Sequence, residues 1–287
     1  MKRIAIAATV LGMCIWSFGQ DKPAGQNPPT GQAAGQAAGQ AAAPQGKRPP
    51  KVNSTEEYNA YKAAMAMTDP AAEEKAASDF VAKYPQSELQ ALIYKNVMQK
   101  YQAVNNGDKM VEMAKKALTL DPDDPEALVA VGQVTVEQVK DNDLDKDQRL
   151  AEAKKDAQRA LMTVETDLPT SGYDPQQLAT YKNFIKSQAY FILGTVAYKQ
   201  SAWPEAETNL RKSVDALPQQ PDVVCVYRLA LALDFQNKIP EALKVTQQAV
   251  DLTKDQPDSP AGKAARQELD RLMTYSKGNS PSAPAKN

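Results

Sequence analysis

The chain has 287 residues, with 34 Lys and Arg against 35 Asp and Glu, two cysteines and no histidine. Without histidine the commonest general base and metal ligand is gone, so Cys–His, Ser–His–Asp and His-based zinc chemistry are excluded. The near-neutral charge gives no footing for nucleic acid, and neither a glycine-rich phosphate loop nor a GxSxG elbow occurs. Carboxylates alone can hydrolyse glycosides, but in a helical chain with 35 acids close carboxylate pairs arise by chance.

The N-terminus, MKRIAIAATVLGMCIWSFGQ, places Lys2 and Arg3 ahead of an apolar run, Ile4 to Phe18, and ends it with the small residues Ser17 and Gly19. This is the pattern of a secretory signal peptide over 1–19, cut after Gly19. The run is shorter than the roughly 20 residues of a membrane span. Export to the periplasm or envelope is therefore expected, the alternatives being an uncleaved N-terminal anchor or lipidation at Cys14. Cleavage leaves a formal charge of −3 and Cys225 as the one cysteine, so no intramolecular disulfide is expected. Cys225 lies in the apolar stretch PDVVCVYRLALAL and reads as a small buried hydrophobe.

Residues 20–52 are rich in Gln, Gly, Ala and Pro, with GQAA three times from Gly31. They have too little apolar surface to offset their ordering entropy, and read as a disordered tether of roughly 30 Å mean reach. Residues 277–287, KGNSPSAPAKN, read as a second disordered tail.

From 53 to 276 helical periodicity dominates. The first segment, 55–85, ends in FVAKYP. In the second, 89–122, Tyr94, Val97 and Tyr101 form one helix face, Asn106-Gly107-Asp108 a turn, Ala114 and Ala117 a second helix face, and Pro122 a stop. The third, 125–168, pairs ALVAVGQVTVEQVK with LAEAKKDAQRAL across the acidic run DNDLDKDQRLAE. The fourth, 175–218, and the fifth, 222–256, share a start: WPEA from Trp203 and IPEA from Ile239 stand 36 residues apart. Proline suits the first turn of a helix, where its missing N–H would be unpaired anyway. Ala261 to Ser276 reads as a closing helix with a charged outer face, as a solenoid end requires.

This recurrence resembles the tetratricopeptide repeat (TPR) family. Tyr190, Leu193, Gly194, Ala206, Leu210, Ser213 and Pro218 match its pattern in one repeat. Tyr94, Val97, Met98, Tyr101, Ala114, Ala117 and Pro122 match it in another. The pattern departs at Ala197, where the family carries an aromatic residue, and at Met110, where it carries alanine. The resemblance implies an all-α, right-handed superhelical solenoid of about five helix-turn-helix repeats over 53–276 with a C-terminal capping helix.

In the family pattern a helix-A glycine and the first helix-B alanine stand 12 apart, as Gly194 and Ala206 do; Gly132 and Ala153 stand 21 apart. The acidic run is thus a nine-residue expansion of one inter-helix elbow. Asp141, Asp143, Asp145 and Glu152 have the spacing of an EF-hand calcium loop, but Lys146 takes the position that needs glycine. The reading adopted is a solvated elbow with Asp145 or Asp147 capping the next helix, and no metal or cofactor.

The resemblance also implies a concave groove lined by the first helix of each repeat and used for a protein or peptide partner. Its positions fall on Lys95, Gln99, Val129, Gln133, Phe191, Thr195, Tyr198, Tyr227, Leu231 and Phe235; of these Lys95, Gln99, Gln133, Phe191, Tyr198, Tyr227 and Phe235 are the candidate contact residues. The competing reading is that half of them pack on the neighbouring helix as core. The function expected is a non-catalytic scaffold or adaptor in an envelope complex. The alternatives are a self-associating structural subunit and a carboxylate-based envelope enzyme.

Overall fold

The computed structural model describes residues 46–168 and 173–278. The expected export signal, most of the tether and nearly all of the C-terminal tail lie outside the described residues. Eleven α-helices occur among those described: α1 (Thr55–Met65), α2 (Pro70–Lys83), α3 (Gln90–Ala103), α4 (Gly107–Leu120), α5 (Pro125–Gln138), α6 (Lys146–Thr163), α7 (Pro175–Lys199), α8 (Trp203–Ala216), α9 (Val223–Phe235), α10 (Ile239–Leu252) and α11 (Pro260–Ser276).

Short polar punctuation sets these boundaries. Asp69, Asn106, Asp124, Asp174, Asp222 and Ser259 each accept a backbone N–H of the first turn, satisfying a donor the helix leaves orphaned. Ser54 and Glu57 form a reciprocal capping box at α1. Three of the tight turns share one device. Asn105, Ser201 and Asn237 take a left-handed φ of 56, 59 and 58°. The next N–H then reaches back over five residues, from Asn106 to Tyr101, Ala202 to Ala197 and Lys238 to Leu233, as in a Schellman stop.

The helices pair as antiparallel hairpins, α3 with α4, α5 with α6, α7 with α8 and α9 with α10, and each hairpin packs on the next. Contacts between α5 and α7 and between α7 and α9 put first helices beside first helices. The result is an all-α solenoid of stacked helical hairpins. Glycine and alanine set the approach. A Cβ on Gly194 would lie 2.6 Å from Leu210 Cγ, and one on Gly132 would lie 3.1 Å from Ile192 Cδ1. Ala114, Ala117, Ala153, Ala157, Ala206 and Ala242 are fully or almost fully buried on the second helices.

Three apolar clusters follow one another along the axis: Ala64 to Val131, Leu128 to Val196, and Phe191 to Leu272. In the last, α11 inserts Ala265 and Leu272, and Arg271 pairs with Asp234 and Glu268 at its rim. Cys225 is buried there, its Sγ 3.6 Å from the Leu210 carbonyl. Burial pushes the thiol up to about 12, so it stays protonated.

Residues 46–52, tether-like in composition, lie along the helical body. The Lys47 N–H donates to the Leu168 carbonyl at 3.1 Å, and its ammonium pairs with Asp121. Arg48 forks onto Glu88 at 2.8 and 2.7 Å. Low hydrophobicity argues against a core, but it leaves specific charge pairing open.

Candidate partner groove and elbow cavity

Lys95 and Gln99, expected to face a partner, are engaged by the next repeat. Lys95 Nζ lies 2.9 Å from Asp124 and 3.6 Å from Glu126. The Gln99 amide donates to Glu126 at 2.6 Å, and the Tyr181 hydroxyl on α7 donates to the same carboxylate. Burial disfavours the Lys95 charge, but Asp124 and Glu126 outweigh it and hold the ammonium above the ordinary lysine range. Burial and then Glu126 raise Tyr181 well above its usual value. Both first-helix positions are thus paired with the protein's own charges, Lys95 nearly buried and Gln99 still exposed.

The second half is stitched by Arg228 of α9. Its guanidinium reaches Glu137 of α5 at 2.6 and 2.9 Å and Thr195 Oγ1 of α7 at 3.1 Å. It also lies 5.2 Å over the Phe191 ring, a cation–π contact. Burial alone would raise the Glu137 carboxyl, but Arg228 outweighs it and the net shift is downward.

Phe191, Thr195, Val129 and Leu231 are buried, so these groove positions are core. Tyr198 is 5% exposed and packs edge-on against Trp203, centroids 5.3 Å apart. Trp203 stacks on Phe235 at 4.2 Å. Gln133, Tyr227 and Phe235 are half-buried. Phe191 and Tyr198 are thus not displayed as aromatic anchors.

Nearby opens a cavity of about 1220 Å³, walled by the elbow on one side and by Tyr198–Ser201 with Glu137 on the other. The Tyr198 hydroxyl is buried without a hydrogen-bond partner among the described residues, and burial pushes it up to about 12, so it is a neutral donor at neutral pH. Lys199 donates to the Val139 carbonyl at 2.7 Å; burial and then Arg228 lower its pKa. The cavity wall therefore combines a tyrosine with a buried hydroxyl, an ammonium easier to neutralise than usual, and a ring of charged elbow residues.

The elbow's own contacts bear on the calcium spacing. Lys146 Nζ lies 2.8 Å from Asp141. Asp143 accepts from the Lys140 N–H at 2.8 Å and from Arg149 at 3.3 Å, and Glu152 from Gln148 at 2.9 Å. Lys146 begins α6, so helix starts where a calcium loop would need its sharp turn. No group of three or more acidic or cysteine side chains among the described residues is arranged to hold a metal. Asp145 occupies the N-cap of α6 but makes no side-chain cap bond, so it does not cap in the way expected; Asp143 closes the turn instead.

No family model matches the chain, and no curated protein does. Among solved structures it is similar to YrrB, a TPR protein with an unusual peptide-binding site. That likeness has a TM-score of 0.45 and 19% identity over 71% of this chain and 84% of that one. It is also similar to the assembly chaperone of RpL4, Acl4 (residues 1–338), at a TM-score of 0.38 and 16% identity over 79% and 100% of the two chains. Likeness this distant leaves the fold to rest on the hairpin contacts described above.

Sequence reasoning did not find Glu137, Arg228 or Lys199. Glu137 and Arg228 stand 91 residues apart, and no local period relates them. A charged residue within an apolar helix, as Arg228 is in VVCVYRLALAL, was the available signal.

Proposed function

We propose that the chain is an exported, TPR-type, non-catalytic adaptor of the cell envelope that binds a protein segment at the elbow cavity and the adjoining first-helix face of α7 and α9. The observation that carries this reading is the buried Tyr198 hydroxyl. A buried polar group without a partner among the described residues costs stability, and Tyr198 is one of the residues that wall the elbow cavity. A peptide carbonyl is the matching acceptor, and Lys199 supplies a second donor. Tyr227 and Phe235 supply half-buried aromatic surface beside it, the residue types that dominate interface energetics. The pre-formed solenoid keeps the ordering cost of binding low.

Export rests on the residue pattern of 1–19, and N-terminal sequencing of the mature protein should begin at Gln20. The site is tested by pull-down from envelope extract with wild type, Tyr198→Phe and Tyr227→Ala. Loss of one set of partners in both variants is expected. A bound set unchanged in both refutes the site, and concentration-dependent light scattering with no captured partner favours the self-associating subunit.

A further inference from the structure

The segment Lys47–Lys51 precedes α1 in sequence, yet it touches connections that belong to three later junctions. Lys47 sits between Asp121 of the α4–α5 connection and Asp167 of the α6–α7 connection, with its N–H on the Leu168 carbonyl. Arg48 and the Lys51 N–H share Glu88 of the α2–α3 connection, the latter at 2.8 Å. The segment thus runs antiparallel to the order of the repeats, meeting an acid at each junction. Pro49 and Pro50 hold it extended, because a residue before proline avoids the helical region and consecutive prolines favour a polyproline conformation.

We propose that this edge is a docking seat for an extended, basic, proline-containing peptide segment, and that residues 47–51 occupy it in cis as an exchangeable stand-in. Its contacts suit exchange. Arg48 is 69% exposed and Glu88 40%, and ion pairs so placed are weak and screened by salt. One backbone hydrogen bond sets the direction, as when an extended peptide pairs with a backbone edge. Intramolecular occupancy works through effective concentration, which for a short linker lies in the millimolar range. A partner segment therefore has to exceed that level, or carry more contacts than the five residues Lys47–Lys51, to displace the strap.

The test uses the full chain and a fluorescein-labelled peptide of residues 46–53, GKRPPKVN, in low-salt anisotropy titrations. Lys47→Glu/Arg48→Glu reverses the strap's charge and frees the seat, and matching far-UV circular dichroism checks the fold. The charge-reversed chain should bind the peptide at least about tenfold more tightly than wild type, since the cis competitor is removed. Adding Glu88→Gln/Asp121→Asn to that chain should abolish binding. No binding to the charge-reversed chain, equal affinity for both chains, or binding that survives Glu88→Gln/Asp121→Asn each overturns the proposal. Tyr198→Phe should leave peptide binding unchanged, which separates this seat from the elbow cavity.

Discussion

Replacing Arg228 with leucine tests the charge pair that ties α5, α7 and α9 together. The substitution removes a two-pronged contact and leaves Glu137 facing Asp222, whose own carboxyl is already raised by burial. Losing one partner of a buried pair costs 3–5 kcal/mol; because the Glu137 side chain is 25% exposed, about 3 kcal/mol is expected. For a body of this size that is about 6–12 °C in melting temperature. The double variant Glu137→Leu/Arg228→Leu should recover most of the loss, since apolar replacement of a buried pair is often neutral.

The pH dependence gives the sharper test. In wild type the Glu137 carboxyl is depressed, so its contribution is present above its unfolded value and lost only as pH falls through the lower folded value. In Arg228→Leu, burial is opposed only by Lys199, the weakest of the influences that lower that carboxyl, so it rises and the variant sheds its penalty as Glu137 protonates on mild acidification. Urea denaturation between pH 7 and about pH 4.5, just above the ordinary glutamate pKa, should show the gap to wild type narrowing as pH falls. A gap that is constant with pH, or a double variant no better than the single, refutes the reasoning.

Gly194→Ala gains helix propensity worth up to about 1 kcal/mol, but its Cβ meets Leu210 at 2.6 Å. Overpacking should win, with a net loss of about 1–2 kcal/mol by urea melts. Gly107→Ala is the converse: its Cβ meets Val134 at 3.9 Å, and a gain of about 0.5 kcal/mol should appear in the same assay. Tyr198→Phe removes an unsatisfied buried hydroxyl and should stabilise the free protein by up to about 1 kcal/mol, while weakening partner capture. Leu144→Ser, at the fully exposed tip of the elbow, should change stability by less than about 0.5 kcal/mol. Calcium titration by calorimetry should give neither heat nor a melting shift; a binding isotherm would reinstate the elbow as a metal loop.

What was legible in the sequence follows period and punctuation. The Pro-Glu-Ala starts at Trp203 and Ile239 place α8 and α10, and Gly194 and Gly132 meet the neighbours that need their missing side chains, because a close helix crossing demands a small residue. The nine-residue excess between Gly132 and Ala153 located the elbow. It could not show that the elbow walls a cavity, since that depends on where the end of α7 lies. Lys95 and Gln99 lie on the expected helix, but the carboxylates of Asp124 and Glu126 engage them from 27 to 31 residues along the chain, with Lys95 nearly buried and Gln99 left exposed. The strap was hidden for the opposite reason: its composition is that of a tether, and only the spatial ladder of Glu88, Asp121 and Asp167 gives Lys47 and Arg48 a place to sit.

The bond from Lys47 to Leu168 also fixes where mechanical load enters the molecule. A pull on the N-terminal segment would reach the α6–α7 connection first, between the α5–α6 and α7–α8 hairpins, and α1 only after Lys47 and Arg48 had let go. The contacts would then break one at a time, Leu168, Asp121 and Glu88 in turn, like a seam opened from its middle toward its end. Under such a load the five residues Lys47–Lys51 would yield before any helix is drawn out of the stack, because ion pairs as exposed as Arg48–Glu88 are weak.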